Sequence, residues 1–448
     1  MGTVTLSKWD KAPVMFVESP PENAISALED ELSYEVPDAE HTQAYQAGRW
    51  DGKQRVIRQT GEDYFFPVGC LERAVRVIRG LGYDVDVRGV ERPGRGDRDY
   101  EWNTDMELRD YQQEALNDAL EKGTGIICLP TGSGKTLIGI RLIYELQHPA
   151  IITAHQQEIA DQWADRLERI LNVDVGRCYG GDRESGDVQV CLYQSLHDSD
   201  SGVRDDVRLD HPVLISDECH REGADVFSQV TGAINSPYRF GLSATPERDD
   251  NATLRIIGGV GELIANISPE SMISDGYLAE PEWHILDPPP SRSTYRKWND
   301  EYKGEVVKNA KRNDMIAQKA AELPSPTYIH VERIAHGERL ESMVPESEFV
   351  SADHSDRTEL MESFKDGDLP VLISTLAGEG FDAPAIRTLI MAGGLKTEVG
   401  TIQKIGRALR PETDNAHIVD FRDRGRWVGD HSEQRIRTYR DYYGEYGP

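Results

Sequence analysis

From Gly125 onward, short runs of Val, Ile and Leu alternate with longer stretches whose apolar residues recur every three to four positions: GIICLP, KTLIGIRLIYELQ, AIITA and QEIADQWADRLERIL follow one another. Short apolar runs bounded by Gly, Pro or charge read as buried strands, and the amphipathic stretches between them as crossover helices. This is the βαβ rhythm of a parallel sheet. It continues through DVQVCLY, PVLIS and YRFGLSAT, fades near Ser268, and resumes with PTYIHV, RIAHGERLESM, PVLIST, IRTLIMAG and HIVDF. Two similar α/β domains are therefore expected, over residues 99–268 and 269–448. The weakly periodic EPEWHILDPPPSRS, with prolines at 288 to 290, lies near their junction. Ahead of them, residues 1–98 are expected as a separate accessory module of mixed α+β character, closed by the Gly/Pro/charge linker ERPGRGDRD. No repeat of solenoid length is found.

The formal charge of −29 argues, taken alone, against a nucleic-acid partner, because phosphates are repelled by an acidic surface. Acid is spread over every region, however, and Arg rather than Lys carries most of the positive charge, as in a chain adapted to concentrated salt. There the Debye length falls to about 3 Å and self-repulsion nearly vanishes, so the acidity reports the solvent. Periodic apolar segments throughout exclude an acidic disordered chain. The five cysteines are scattered and never paired as CxxC, against a disulfide framework or zinc ribbon. The start MGTVTLSKWDKAPV has no signal-peptide pattern and no apolar run is of membrane-spanning length, so a cytoplasmic location is expected.

LPTGSGKTLIG sits where a strand gives way to a helix. Gly132 and Gly134 permit backbone conformations that aim N–H groups at phosphate oxygens, and the helix adds its positive end. Thr131 and Ser133 complete the loop. Lys135 is placed to reach β and γ phosphates and Thr136 to hold Mg²⁺, so ATP with Mg²⁺ is the expected cofactor. The loop fits the eight-residue pattern at seven positions, Leu129 standing where glycine is usual.

A nucleotidase of this type needs acid at the end of a neighbouring strand. VLISDECH supplies Asp217 for the metal and Glu218 to orient and deprotonate a water. Cys219 and His220 as zinc ligands form the rival reading, which lacks a second Cys/His pair at finger spacing.

With both motifs in place the chain resembles the superfamily-two helicases and translocases from about Leu108 onward. The resemblance implies two tandem RecA-like parallel-sheet domains. In LRDYQ it implies that Gln112 reads the adenine edge; in ITAHQQEIADQW, that Thr153 and His155 contact a nucleic-acid strand, while Trp163 reads better as a core residue. In GLSATPERDD it implies that Ser243 and Thr245, with His220, couple nucleotide state to the DECH carboxylates. In LISTLAGEGFDAP, Thr375 would touch the nucleic-acid backbone, and Gly380 and Asp382 would face the nucleotide. In TIQKIGRALRP, Gln403, Arg407 and Arg410 share one helix face while Ile402, Ile405 and Leu409 bury the other. The resemblance implies that these arginines reach the γ phosphate when the two domains close, turning hydrolysis into stepping.

DECH followed by REGAD, the SATPERDD form, and the HTQAYQAGRWDGKQRVIRQTG module make the UvsW and XPB-like group of DNA helicases the nearest likeness. It implies a DNA helicase or translocase acting on branched DNA in repair or recombination, with an ATP-switched clamp and a duplex translocase as alternatives. Between Arg49 and Arg98, basic residues outnumber acidic ones. In LERAVRVIRG an apolar stripe of Leu71, Ala74, Val75 and Ile78 leaves Arg73, Arg76 and Arg79 on the flanks, where they are expected to meet phosphates without reading sequence.

Overall fold

Alternation sets the first sheet. In Thr3–Lys8 the side chains of Val4 and Leu6 are buried and those beside them are not, the period of a strand with one face on a core. This strand lies between Val14–Glu18, antiparallel, and Asp84–Arg88, parallel. Asp63–Pro67 and Arg58–Thr60 extend the antiparallel side to five strands. Helices Glu22–Glu31 and Leu71–Gly80 add Ile25, Leu28, Ala74 and Ile78 to the same core. The computed structural model describes residues 2–198, 202–204, 207, 209–220, 223–245, 252–290, 294–376, 386–394, 405–406, 408–409 and 415–448.

The next sheet has seven parallel strands in the order Val175–Cys178, Val188–Leu192, Ala150–Ala154, Val213–Ser216, Tyr238–Ser243, Thr124–Cys128 and Leu263–Asn266. Its central strands are continuous apolar runs rather than alternating ones because helices cover both faces. Parallel pairing brings every strand's C-terminal end to one edge, so the loops after Cys128, Ala154, Ser216 and Ser243 gather there, where open α/β sheets place ligands.

The N-terminal sheet is not held apart from this one. Their buried residues form one cluster, from Val4 and Phe66 to Phe227 and Val260. Gly69 meets the backbone there: a Cβ on it would lie 1.9 Å from the carbonyl oxygen of Ile257. Lys8 Nζ donates to Asn235 Oδ1 at 2.9 Å, and Arg73 grips Glu262 through Nε at 2.8 Å and Nη2 at 3.3 Å. The Gly/Pro/charge linker lies along the same unit, with Gly96 N–H donating to Leu146 O at 2.8 Å. Charge and Gly/Pro content mark a segment without secondary structure but do not say what it lies against. The chain divides into Met1–Leu129 with Gly134–Asn266, and Pro130–Ser133 with Ile267–Pro448.

The second unit is built on six parallel strands in the order Glu280–Leu286, Asn415–Phe421, Thr388–Met391, Thr327–His330, Val371–Ser374 and Ser347–Val350. The chain is thus α/β with two parallel-sheet domains and a small N-terminal α+β sheet. All five cysteines are buried and free, and among the described residues no helix is long and apolar enough to cross a membrane.

Within the second unit, His336 is buried beside Arg312, itself paired with Asp423 at 2.8 Å, and its Nε2 meets Asn313 Oδ1 at 3.0 Å. Burial first, then the Arg312 and Arg339 charges, hold the imidazole down to about 3 from its ordinary 6.5. The unfolded chain therefore binds a proton here that the folded chain refuses. Stability from this group is complete above pH 6.5 and is lost as pH falls toward 3. Between pH 7 and 5 the loss amounts to about 2 kcal/mol. Urea unfolding of the wild type and of His336→Gln at both pH values is expected to show that difference shrinking in the variant; an unchanged difference would refute this origin.

Candidate active site

Strand Thr124–Cys128 feeds directly into Leu129, whose N–H donates to Ser243 O at 2.9 Å and anchors the loop to the neighbouring strand. Gly132 and Gly134 take φ of 84° and 82°, which side-chain-bearing residues resist. Gly134 caps helix Lys135–Leu146, its carbonyl accepting from Leu137 N at 2.9 Å. A Cβ at Gly134 would fall 2.5 Å from Gln112 Nε2, so glycine here makes room for that amide. Gln112 is buried in the first turn of Asp110–Lys122, and its Oε1 accepts from Arg109 N at 2.9 Å. The oxygen end is fixed to its own helix start and the NH₂ end is turned to the loop.

Lys135 opens its helix with only 8 % exposure. Its Nζ folds back to donate to Leu129 O at 3.0 Å and stands 3.9 Å from Glu218 Oε1. Thr136 follows in the same turn, half-buried.

Asp217 and Glu218 follow strand Val213–Ser216. Asp217 is buried; its Oδ2 accepts from Trp163 Nε1 at 2.7 Å and its Oδ1 from Glu218 N at 3.0 Å. Burial first, and then the charge of Glu218, raise its carboxyl to about 6 against the pull of Trp163 and Lys135. Glu218 has φ 45°, a conformation that costs a non-glycine residue free energy and is found where surroundings over-determine it. Trp163 is in the core as expected, but it also orients Asp217, a role the sequence did not disclose.

His220 is buried, with Nδ1 at 2.8 Å from Ser243 Oγ and 3.5 Å from Glu218 Oε2. Ser243 Oγ accepts from Thr245 N at 3.1 Å and donates to Thr245 O. The three residues expected to couple therefore form one chain of contacts beginning at Glu218. Cys219 is buried next to Gly241, and its thiol is pushed up by burial, which is not a metal ligand's environment.

Two residues expected on nucleic acid have partners within the chain. Thr153 is fully buried and donates to Ser216 Oγ at 3.1 Å, and Arg73 holds Glu262. A buried hydroxyl cannot reach a strand at the surface, and a guanidinium in a bidentate pair is engaged. Arg76, with 67 % of its side chain exposed, stands 3.7 Å from Glu262, and Arg79 is exposed. His155 is half-buried just beyond Ala150–Ala154, and Thr375 follows Val371–Ser374 with its N–H donating to Val350 O at 3.3 Å. Gly380, Asp382, Gln403, Arg407 and Arg410 lie outside the described residues, whereas Ile405, Ala408 and Leu409 are buried.

The donor set suits a polyphosphate with a divalent cation. Asp217 is buried beside Glu218, whose side chain is 15 % exposed, and Lys135 Nζ stands 3.9 Å from Glu218 Oε1. The lysine would meet phosphate oxygens and the carboxylates a metal ion.

Residues 105–248 match the family described as type III restriction enzyme, res subunit, and residues 332–412 match the helicase conserved C-terminal domain. A Rad25-named protein of Haloarcula marismortui is 28 % identical over 364 residues, 77 % of this chain and 58 % of that one. The ATP-dependent DNA helicase uvsW of Enterobacteria phage T4 is 23 % identical over 435 residues, 87 % of this chain and 84 % of that one. The DNA 3'-5' translocase XPB2 of Sulfurisphaera tokodaii is 25 % identical over 367 residues, 71 % of this chain and 82 % of that one. In fold, the chain resembles the ATP-dependent type ISP restriction-modification enzyme LlaBIII bound to DNA, at TM-score 0.56 and 15 % identity over 76 % of this chain and 30 % of that one. The chain spans 58 % of the length of the Haloarcula relative.

Proposed function

From the premise that this chain belongs to the superfamily-two helicases, we propose that it hydrolyses ATP with Mg²⁺ to drive a DNA helicase that remodels branched DNA in repair or recombination. One observation carries the reading: Lys135 Nζ lies 3.9 Å from Glu218 Oε1, with the buried Asp217 next in sequence, where phosphate loop and strand end meet. A lysine, a metal-binding acid and a proton acceptor at one sheet edge are the parts phosphoryl transfer to water requires.

A bound metal ion would supply charge that neutralises phosphate oxygens, and Thr136 and Asp217 would hold it. The chain's own residues would do the rest: Lys135 would exchange the Leu129 carbonyl for phosphate, and Glu218 would take the proton of the attacking water. Gln112 is proposed to turn its amide to an adenine edge, and the His220, Ser243 and Thr245 contacts carry the state of Glu218 to the strand end behind it. Arg407 and Arg410, with Gln403, are proposed to stabilise charge on the γ phosphate, and Gly380 and Asp382 to face the nucleotide. Thr375, His155, Arg76 and Arg79 are proposed to lie along DNA, in support of which both arginines are exposed.

Translocation along duplex without separating it is a second reading, favoured by the restriction-subunit match and by the relative named a translocase. One comparison divides them: release of a labelled strand from forks and four-way junctions beside displacement of a third strand from a triplex, both in molar KCl. Strand release from branched substrates supports the helicase. Triplex displacement alone replaces it with the translocase, and absence of DNA-stimulated ATP hydrolysis refutes both.

A further inference from the structure

On the edge of the second unit's sheet, Glu280–Leu286 pairs in parallel with Asn415–Phe421, and the register sets Glu282 directly beside His417. Residues two apart on a strand share a face, so His284 joins them, while Trp283 points the other way and stacks on Tyr439 at 4.8 Å. Three potential ligands thus meet on one patch: His284 Nε2 is 3.2 Å from His417 Nδ1 and 3.5 Å from Glu282 Oε1, and His417 Nδ1 is 3.4 Å from Glu282 Oε2.

We propose that Glu282, His284 and His417 bind a single divalent ion of borderline softness, of the zinc type. The two carboxylate contacts, at 3.5 and 3.4 Å, exceed ordinary N–H···O hydrogen-bond length. They run to the two carboxylate oxygens, one to each imidazole, and are close to the separation of about 3.4 Å between ligands bound about 2.1 Å from one tetrahedral ion. Two imidazole nitrogens and one carboxylate favour zinc and its neighbours over Mg²⁺ or Ca²⁺, which prefer all-oxygen shells. Both imidazoles are largely buried, with 19 % and 15 % of their side chains exposed, so few rotamers remain open to them. Lys319 and Glu322 of helix Ala310–Glu322 pair with each other at 3.0 Å, so these opposite charges offset one another. The carboxylate is half-exposed, and the fourth position is left to water. Bound there, the ion clips the edge strand to its neighbour. A strand with only one partner is the part of a sheet that frays most easily.

The test uses the full chain, stripped with chelator and titrated with Zn²⁺ by calorimetry beside the His284→Ala/His417→Ala variant. Subtraction removes weak binding by the acidic surface and by the exposed Asp38, Glu40 and His41 group. The wild type is expected to take up one equivalent more than the variant, and Zn²⁺ to raise its melting temperature by an increment the variant loses. Equal uptake by both proteins overturns the proposal. X-ray absorption of the wild type at one equivalent of Zn²⁺ makes the test independent of how the variant folds. A shell with imidazole scattering is expected, and an all-oxygen shell overturns the proposal.

Discussion

Lys135→Ala is expected to lower DNA-stimulated ATP turnover by roughly 10³-fold, the upper end of what removal of one preorganised donor costs, or about 4 kcal/mol of barrier. The lysine is nearly buried, points its ammonium into the loop at Leu129 O, and is the positive charge placed against Glu218. Removing it leaves two neighbouring carboxylates facing an incoming triphosphate with one cation fewer. Asp217, already raised to about 6, loses one of the charges that hold its pKa down, so its grip on a metal ion weakens as well. The fold should not follow. Lys135 is the first residue of its helix, whose core contacts are made by Ile138, Ile140, Leu142, Ile143 and Leu146, and alanine is a strong helix former. Thermal unfolding should therefore stay within about 1 kcal/mol of wild type while phosphate release collapses. Undiminished turnover in a folded variant would remove the phosphate-loop assignment.

The parallel sheets were legible because burial on both faces writes itself as unbroken Val/Ile/Leu runs, and crossover helices as a different period. The loop's place was legible for a related reason: Gly132 and Gly134 stand between a strand and a helix, and both take the positive φ that a sharp turn there asks of glycine. What escaped was pairing across sequence distance. Trp163 reads as one more apolar position of an amphipathic helix, and nothing local says that its N–H finds Asp217 54 residues on. Arg73 reads as a basic flank, but its partner Glu262 is 189 residues away. Its charge was visible and its occupation was not. Glu282 and His284 sit in a segment set aside as weakly periodic, and they acquire a third neighbour only when register brings in His417 from near the far end of the chain. Sequence period reports which face a residue occupies; register and packing decide what it meets there.

Glu218→Gln is expected to lower kcat by roughly 10²- to 10⁴-fold, the range for a lost general base, with nucleotide affinity kept or improved. Glutamine has the same shape and backbone demands, so the left-handed φ of 45° costs much the same in both proteins. It can still orient a water by hydrogen bonding, but its amide cannot accept a proton at neutral pH. The electrostatic consequence separates this variant from Lys135→Ala. The charge of Glu218 is the second-largest cause of the raised pKa of Asp217, so removing it favours the ionised Asp217 carboxylate and strengthens the metal ligand. A defect in kcat without a defect in Mg²⁺ or ATP binding is then the signature of proton acceptance. His220 Nδ1, 3.5 Å from Glu218 Oε2 and 2.8 Å from Ser243 Oγ, loses a charged neighbour but keeps its hydroxyl partner, so the path toward Thr245 stays assembled. Single-turnover hydrolysis beside equilibrium binding of a fluorescent ATP analogue measures both quantities on one preparation. If binding is lost in step with turnover, Glu218 is holding the nucleotide complex together rather than activating water, and the division of labour between the two carboxylates is wrong.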